Sequence, residues 1–137
     1  MITARVTEEL ITAEALAASV KSDTAGAVVT FSGDVRNHDK GKSVTTLNYE
    51  VHPSAQSVIE KIVNEIVSKH DVVNVAVAHR YGAIAIGESA FVVAVASAHR
   101  GPAFACCNEL VERVKAELPI WKYQEFADGT TEWVNSA

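Results

Sequence analysis

The chain has 137 residues, 48% of them hydrophobic and 21% charged, which is enough for one domain with a substantial core. Twelve basic against 17 acidic side chains leave a formal net charge of −5, which argues against a general nucleic-acid binder with a basic face. No apolar run approaches the roughly 18 residues needed to span a bilayer. The N-terminus also lacks a basic stretch followed by a long apolar one, so the cytoplasm is the expected compartment.

Residues 1–6 alternate weakly and predict a short strand. Thr12 is a candidate cap for a helix over 13–21, rich in Ala and Leu. Residues 25–35 contain Val28, Val29 and Phe31 and predict a core strand, with Gly33 marking a bulge or a close backbone approach. The segment 36–42 reads as a polar loop in which Arg36, His38, Lys40 and Lys42 face only Asp39. Residues 43–51 predict the next strand, with Leu47, Tyr49 and Val51 on one face. Pro53 opens a helix through to His70, striped by Val58, Ile59, Ile62, Val63, Ile66 and Val67. The β-branched run 72–78 predicts another strand, and Tyr81-Gly82 and Gly87-Glu88 bracket a short segment. Residues 91–96 are apolar at every position, so the strand over 91–98 should be covered on both faces. Pro102 suits the first position of a helix that runs to Glu117, with Gly101 as its cap and Phe104, Cys107, Val111, Val114 and Leu118 as its apolar face. Pro119 stops it. Residues 120–126 predict a strand, Asp128-Gly129 a tight hairpin, and 131–134 the returning strand. Mixed elements joined by hairpins indicate an α+β fold rather than a doubly wound parallel sheet, in a single domain over residues 1–137.

Two features point to chemistry. At Ser97-Ala98-His99-Arg100-Gly101-Pro102 a buried strand ends in an imidazole and a guanidinium beside a helix start. A glycine cap has no side-chain oxygen for the first-turn N–H groups, so partial positive charge remains there. Such a corner suits a phosphate or another anion, and it equally suits an ordinary surface Arg with waters on the helix start. The second feature is a scatter of cations. Arg36 stands at a strand end, Lys115 at the edge of a helical stripe, and Lys122 among large apolar side chains. Each has a plain reading (solubility, snorkelling, an outward strand position) and a sharper one in which all of them converge on one cavity. An acidic protein that sets aside a few cations suits an anionic small molecule better than a polyanion.

Other chemistries are excluded more firmly. Cys106 and Cys107 are neighbours and point about 100° apart on a helix, which disfavours a disulfide and leaves two buried thiols. His38, His52, His70, His79 and His99 show no H-x-H or H-E-x-x-H spacing, so no metal site is expected. There is no G-x-S-x-G elbow, Walker loop or G-x-G-x-x-G.

Taken together, several ordered blocks resemble the large, catalytic subunits of molybdopterin synthase. They are the stretch from Gly26 through Phe31-Ser32-Gly33-Asp34-Val35-Arg36-Asn37-His38, then Leu47-Asn48-Tyr49-Glu50, and His79-Arg80-Tyr81-Gly82 with Gly87-Glu88. Ser97-Ala98-His99-Arg100, Pro119-Ile120-Trp121-Lys122 and Asp128-Gly129 to Trp133-Val134 follow. The resemblance implies an α/β-hammerhead fold and a homodimer within a heterotetramer, with a small ubiquitin-like subunit docked at each end. That partner brings sulfur as a thiocarboxylate on its C-terminal Gly-Gly, and two sulfurs pass in turn to cyclic pyranopterin monophosphate. No cofactor of the large subunit is implied.

By position, Lys115 matches the family's catalytic lysine and Lys122 a second active-site lysine, while Arg36, His99 and Arg100 match substrate-binding residues. Two departures are visible. Asp34 stands where a lysine or a small residue is common, and Tyr123-Gln124 replaces a basic-then-acidic pair. A rival of another class, a non-catalytic dimeric module that binds a phosphorylated metabolite, would use the same cations.

Overall fold

The computed structural model describes residues 1–134, so the last three residues of the expected domain, 135–137, lie outside the described part. In chain order the elements are β1 (Ile2–Thr7), α1 (Ala13–Val20), β2 (Ala27–Asp34), β3 (His38–Asp39), β4 (Lys42–Val51) and α2 (Ala55–Val67). They continue with β5 (Asn74–Arg80), β6 (Gly82–Ile84), β7 (Ser89–Ser97), α3 (Arg100–Glu117), β8 (Ile120–Phe126) and β9 (Thr131–Val134). The class is α+β, with three helices among the described residues. None of these helices is long and apolar enough to cross a membrane.

One sheet runs in the order β1-β5-β7-β2, and a second runs β3-β4-β8-β9 with β6 also paired to β4. Among the described residues only β1 and β5 pair in parallel; the other pairs are antiparallel. The central strands β5 and β7 are buried along nearly their whole length, because helices cover both faces of the first sheet. Ala76, Ala78, Val92, Ala94 and Ala96 meet Leu16 and Val20 of α1 on one face. The small residues let that short helix approach closely. On the other face Val75, Val77, Phe91, Val93 and Val95 meet Ile59, Ile62 and Ile66 of α2 and Cys106, Leu110 and Val114 of α3. Leu47, Tyr49, Ile84 and Ile120 of the second sheet close the same core.

Two local predictions hold in detail. Thr12 caps α1, its hydroxyl accepting from the Ala15 N–H at 3.1 Å. Gly33 marks a bulge, where the register of β2 against β7 shifts between Gly33 and Asp34. Two others are corrected. The segment 36–42 is not an open loop: β3 and β4 form a hairpin whose turn, Lys40-Gly41, has φ of 53° and 75°. Positive φ at both central positions gives the turn whose twist matches its flanking strands.

The start of α3 is also two residues earlier than predicted, with His99 as its cap and Pro102 inside the first turn, where a missing N–H still costs nothing. The buried face of α3 is Ala103, Cys106, Cys107, Leu110, Val111 and Val114, whereas Phe104 is 59% exposed. The helix carries two overlapping apolar stripes, and the sheet selects the one with smaller side chains near the start.

Candidate functional site

A cavity of about 240 Å³ opens where the bulged end of β2 meets the second sheet and the last turn of α3. Arg36, Lys115 and Lys122 all line it, together with Asp39, Tyr49 and Gln124. The expectation that these three cations share one cavity is met.

Each arrives by a separate route. Lys115 sits in the last turn of α3, with the buried Val114 and Leu118 anchoring the helix end beside it. Lys122 stands opposite Tyr49 on β4 and opposite Val134 on β9, in the middle of a three-strand ladder. Arg36 follows the buried Val35, whose N–H donates to the Glu88 carbonyl at 2.9 Å and whose carbonyl accepts from the Gly87 N–H at 2.7 Å. Glu88 is itself fixed, its carboxylate accepting from Arg80 Nη1 at 3.0 Å and from the Ala85 N–H at 3.0 Å. The His79-Arg80 and Gly87-Glu88 blocks therefore serve the site indirectly, as the clasp that aims Arg36.

The electrostatics are cationic but not uniformly so. Burial lowers the Lys122 pKa; Asp39 opposes that shift, while Lys115 and Arg36 add to it. Asp39 Oδ2 accepts from Gln124 Nε2 at 2.8 Å, and its Oδ1 faces Arg36 Nη2 at 3.4 Å. The Gln124 hydrogen bond and the surrounding cations hold that carboxyl below the ordinary range. Asp34, the first departure, accepts from the hydroxyls of Ser32 (2.5 Å) and Ser89 (2.7 Å), which stabilise its charge at the bulge. Tyr49 is pushed up to about 12 by burial and is a neutral phenol in the cavity wall. Both cysteines are raised to about 11 by burial, so neither is a thiolate near neutral pH, in line with their reading as buried core thiols.

Beneath the cavity floor lies a residue that sequence reasoning left without a role. His79 is fully buried, stacked on Phe91 at 5.4 Å and met edge-on by Tyr49 at 5.1 Å. Its Nδ1 donates to the Arg80 carbonyl at 2.9 Å, and its Nε2 has no hydrogen-bond partner among the described residues. Burial, with Lys115 adding repulsion against the bond to Arg80, lowers its pKa to about 4. A histidine depressed below its unfolded value of about 6.5 adds stability that is complete above that pH and is lost as pH falls towards 4. Denaturant melts should therefore show the fold weakening below pH 6.5, by on the order of 2–3 kcal/mol once pH 4 is reached. His79→Phe should flatten the limb between pH 6.5 and 5, above the range in which most carboxylates titrate.

His99 and Arg100 do not line this cavity, which corrects the expectation that all five residues meet in one cleft. Ala27 pairs with Ser97 at one end of the β2–β7 ladder, and Asp34 with Ser89 at the other. His99 and Arg100 follow the first end, and the cavity lies at the second. The helix returns along the sheet, so its rise places Lys115 roughly 22 Å from Arg100. The corner keeps its predicted character: the His99 side chain makes no capping hydrogen bond to the first turn of α3, and His99 and Arg100 are both exposed. Sequence reasoning missed Tyr49 as a cavity residue and noted Gln124 only as a departure that bears on pocket polarity. A signal for Gln124 was present, since residues two apart on a strand share a face and Lys122 was already a candidate.

Residues 6–117 match the model of the MoaE protein family. The molybdopterin synthase catalytic subunit of Thermoplasma volcanium is 36% identical over 129 residues, covering 93% of this chain and 94% of that one. Catalytic subunit 1 of Mycobacterium tuberculosis is 37% identical over 95% of this chain and 88% of its own length. Some relatives are longer; the chain covers 64% of the Aspergillus niger subunit and 58% of the Rattus norvegicus one. Among solved structures, molybdopterin synthase from Staphylococcus aureus superposes with a TM-score of 0.85 at 32% identity, covering 94% of both chains. The match runs through the strands and helices that build the cavity, and the chain belongs to the MoaE protein family, that of the molybdopterin synthase catalytic subunits.

Proposed function

We propose that this chain, acting as one domain over residues 1–137 in the cytoplasm, transfers sulfur to cyclic pyranopterin monophosphate in molybdenum-cofactor biosynthesis. The donor is a small ubiquitin-like subunit whose C-terminal Gly-Gly carries a thiocarboxylate. The observation that carries this reading is the joint lining of one cavity by Arg36, Lys115 and Lys122, brought from three distant parts of the chain.

The chemistry follows from charge. A thiocarboxylate and a cyclic phosphate are both anions, and three cations in a partly desolvated cavity attract and orient them. As the thiocarboxylate sulfur attacks a side-chain carbon of the pterin, the bond from that carbon to oxygen breaks, and the departing oxygen takes the electron pair and the growing negative charge. Lys115 stabilises that charge or donates a proton to it. Lys122, half-buried on a rigid strand, positions the acyl end of the donor. Once the carbon–sulfur bond exists, water opens the remaining acyl–sulfur bond, leaving sulfur on the pterin and a carboxylate on the small subunit. No metal or cofactor of this chain enters these steps.

His99 and Arg100 belong to the same site only through a second copy. The resemblance implies a homodimer, and a twofold arrangement can set the corner of one chain against the cavity of its partner. Size supports this. A cavity of about 240 Å³ is small for a bicyclic substrate and a threaded peptide end, since pockets for small molecules usually run about 300–1,000 Å³. Walls from the other copy would complete it.

The test is reconstitution with a thiocarboxylated small subunit and cyclic pyranopterin monophosphate. Formation of the dithiolene product supports the enzyme. Tight binding of the pterin with no turnover would instead support the non-catalytic metabolite-binding module.

A further inference from the structure

Among the described residues, Asp39 and Asp34 are the carboxylates that line the cavity. Asp34 is held by Ser32 and Ser89 at the bulge. Asp39 faces the cations. Its hairpin is held in place from outside, because Lys40 pairs with Glu132 at 3.0 Å and Lys42 with Asp128 at 3.3 Å. Both hairpin lysines are engaged by other acids; of the cations that act on Asp39, Lys122 does so most strongly, followed by Arg36 and Lys40, and the first two line the cavity with it. Gln124 is 3% exposed and sits two residues from Lys122 on the same face of β8, so its amide fixes where the carboxylate stands.

We propose that Asp39, clamped by Gln124, is a positioning residue that supplies the negative charge balancing Lys122 and orienting Arg36 in the cavity. This rests on the sulfur-transfer reading for its consequence but not for its physics. Three like charges in a small, partly desolvated space repel one another, and one fixed carboxylate lets them coexist until an anionic ligand takes over. Among the described residues, the charged groups that bear on Lys122 are Lys115 from α3, Arg36 from the β2–β3 connection, Asp39 from β3 and Glu132 from β9; Tyr49 stands opposite it on β4 and His38 lines the same cavity.

The charge can be removed without the hydrogen bond. In Asp39→Asn the side-chain oxygen still accepts from Gln124, so thermal melts should match the parent. Lys122, having lost its counter-charge, should lose its proton at lower pH. Acylation of Lys122 by an amine reagent near neutral pH, mapped by mass spectrometry against the exposed Lys61, should rise roughly threefold to tenfold. In the reconstituted reaction the alkaline limb of kcat should move to lower pH. The double variant Asp39→Asn with Gln124→Glu exchanges carboxylate and amide across the same hydrogen bond, and should restore both readouts.

Unchanged Lys122 acylation in Asp39→Asn would overturn the proposal, as would a double variant that behaves like the single one. Should acylation shift while the parent protein makes no product, the coupling stands and the sulfur-transfer reading falls. Should the parent turn over while acylation stays put, the coupling falls and that reading survives.

Discussion

Lys115→Ala should reduce product formation by roughly 10²–10⁴-fold, the range lost when a positioned group that moves a proton or meets developing charge is removed. Stability should barely change. The residue is exposed on the last turn of α3, alanine is the better helix former, and the contacts of an exposed ammonium with nearby groups and the helix end are together worth on the order of 1 kcal/mol. Binding of the small subunit, a contact spread over a much larger area than one side chain, should survive. The measurement is single-turnover sulfur transfer beside a denaturant melt of the same preparation. Lys115→Arg separates the two roles open to the lysine. Guanidinium keeps the charge and does not release a proton near neutral pH. A largely active Arg variant therefore means charge stabilisation, whereas an Arg variant as inactive as Ala means proton transfer or a geometry only the ammonium meets. Wild-type rates in Lys115→Ala would remove this residue from the mechanism.

How much of this was legible in the sequence depends on the range of the interaction. Elements that declare themselves locally were readable. The unbroken apolar run in β7 announced a strand covered on both faces, the stripe of α2 its buried side, and Asp128-Gly129 the turn between β8 and β9. Gly33 signalled a bulge because a strand interior rarely tolerates glycine without a backbone reason. The three-residue β6 was too short to show a period at all. One residue of the predicted α3 face, Phe104, was misread for a different reason, while Cys107, Val111, Val114 and Leu118 are buried as expected. Phe104 and Ala103 both fit helical spacing with Cys107, Val111 and Val114, and hydrophobicity favours the larger side chain, but the sheet beneath leaves room only for the smaller one.

The site itself divides along the same line. Which residues are cations was plain, and so was their position at strand and helix ends. Which of them meet is a matter of register between strands far apart in sequence. Asp39 and Gln124 are separated by 85 positions, and no local pattern announces their hydrogen bond. The convergence of His99 and Arg100 with Lys115 was expected from cations at strand and helix ends and from the resemblance, yet a helix that starts at one and ends near the other carries them apart within the chain. The length of α3 was predicted closely enough for that separation to follow from its rise alone.

That separation yields the second large effect. Arg100→Ala and Lys115→Ala should each leave a homodimer nearly inactive, because every site then lacks one of its groups. Co-expressed with different affinity tags, the two variants should regain activity. If each site takes Lys115 from one copy and the His99–Arg100 corner from the other, a mixed dimer holds one site with both substitutions and one with neither. Random pairing makes half of the dimers mixed, so the pool should reach about a quarter of the parent rate, and the doubly tagged fraction about half. The recovery is large against two backgrounds reduced at least about a hundredfold. A site built within one chain predicts none, since every cavity in the mixture would then carry one lesion or the other. The roughly 22 Å between Arg100 and Lys115 of one chain is what favours recovery. A doubly tagged fraction no more active than its parents would place the anion corner outside the reacting site and leave the cavity's own cations, Arg36, Lys115 and Lys122, to bind the substrate unaided.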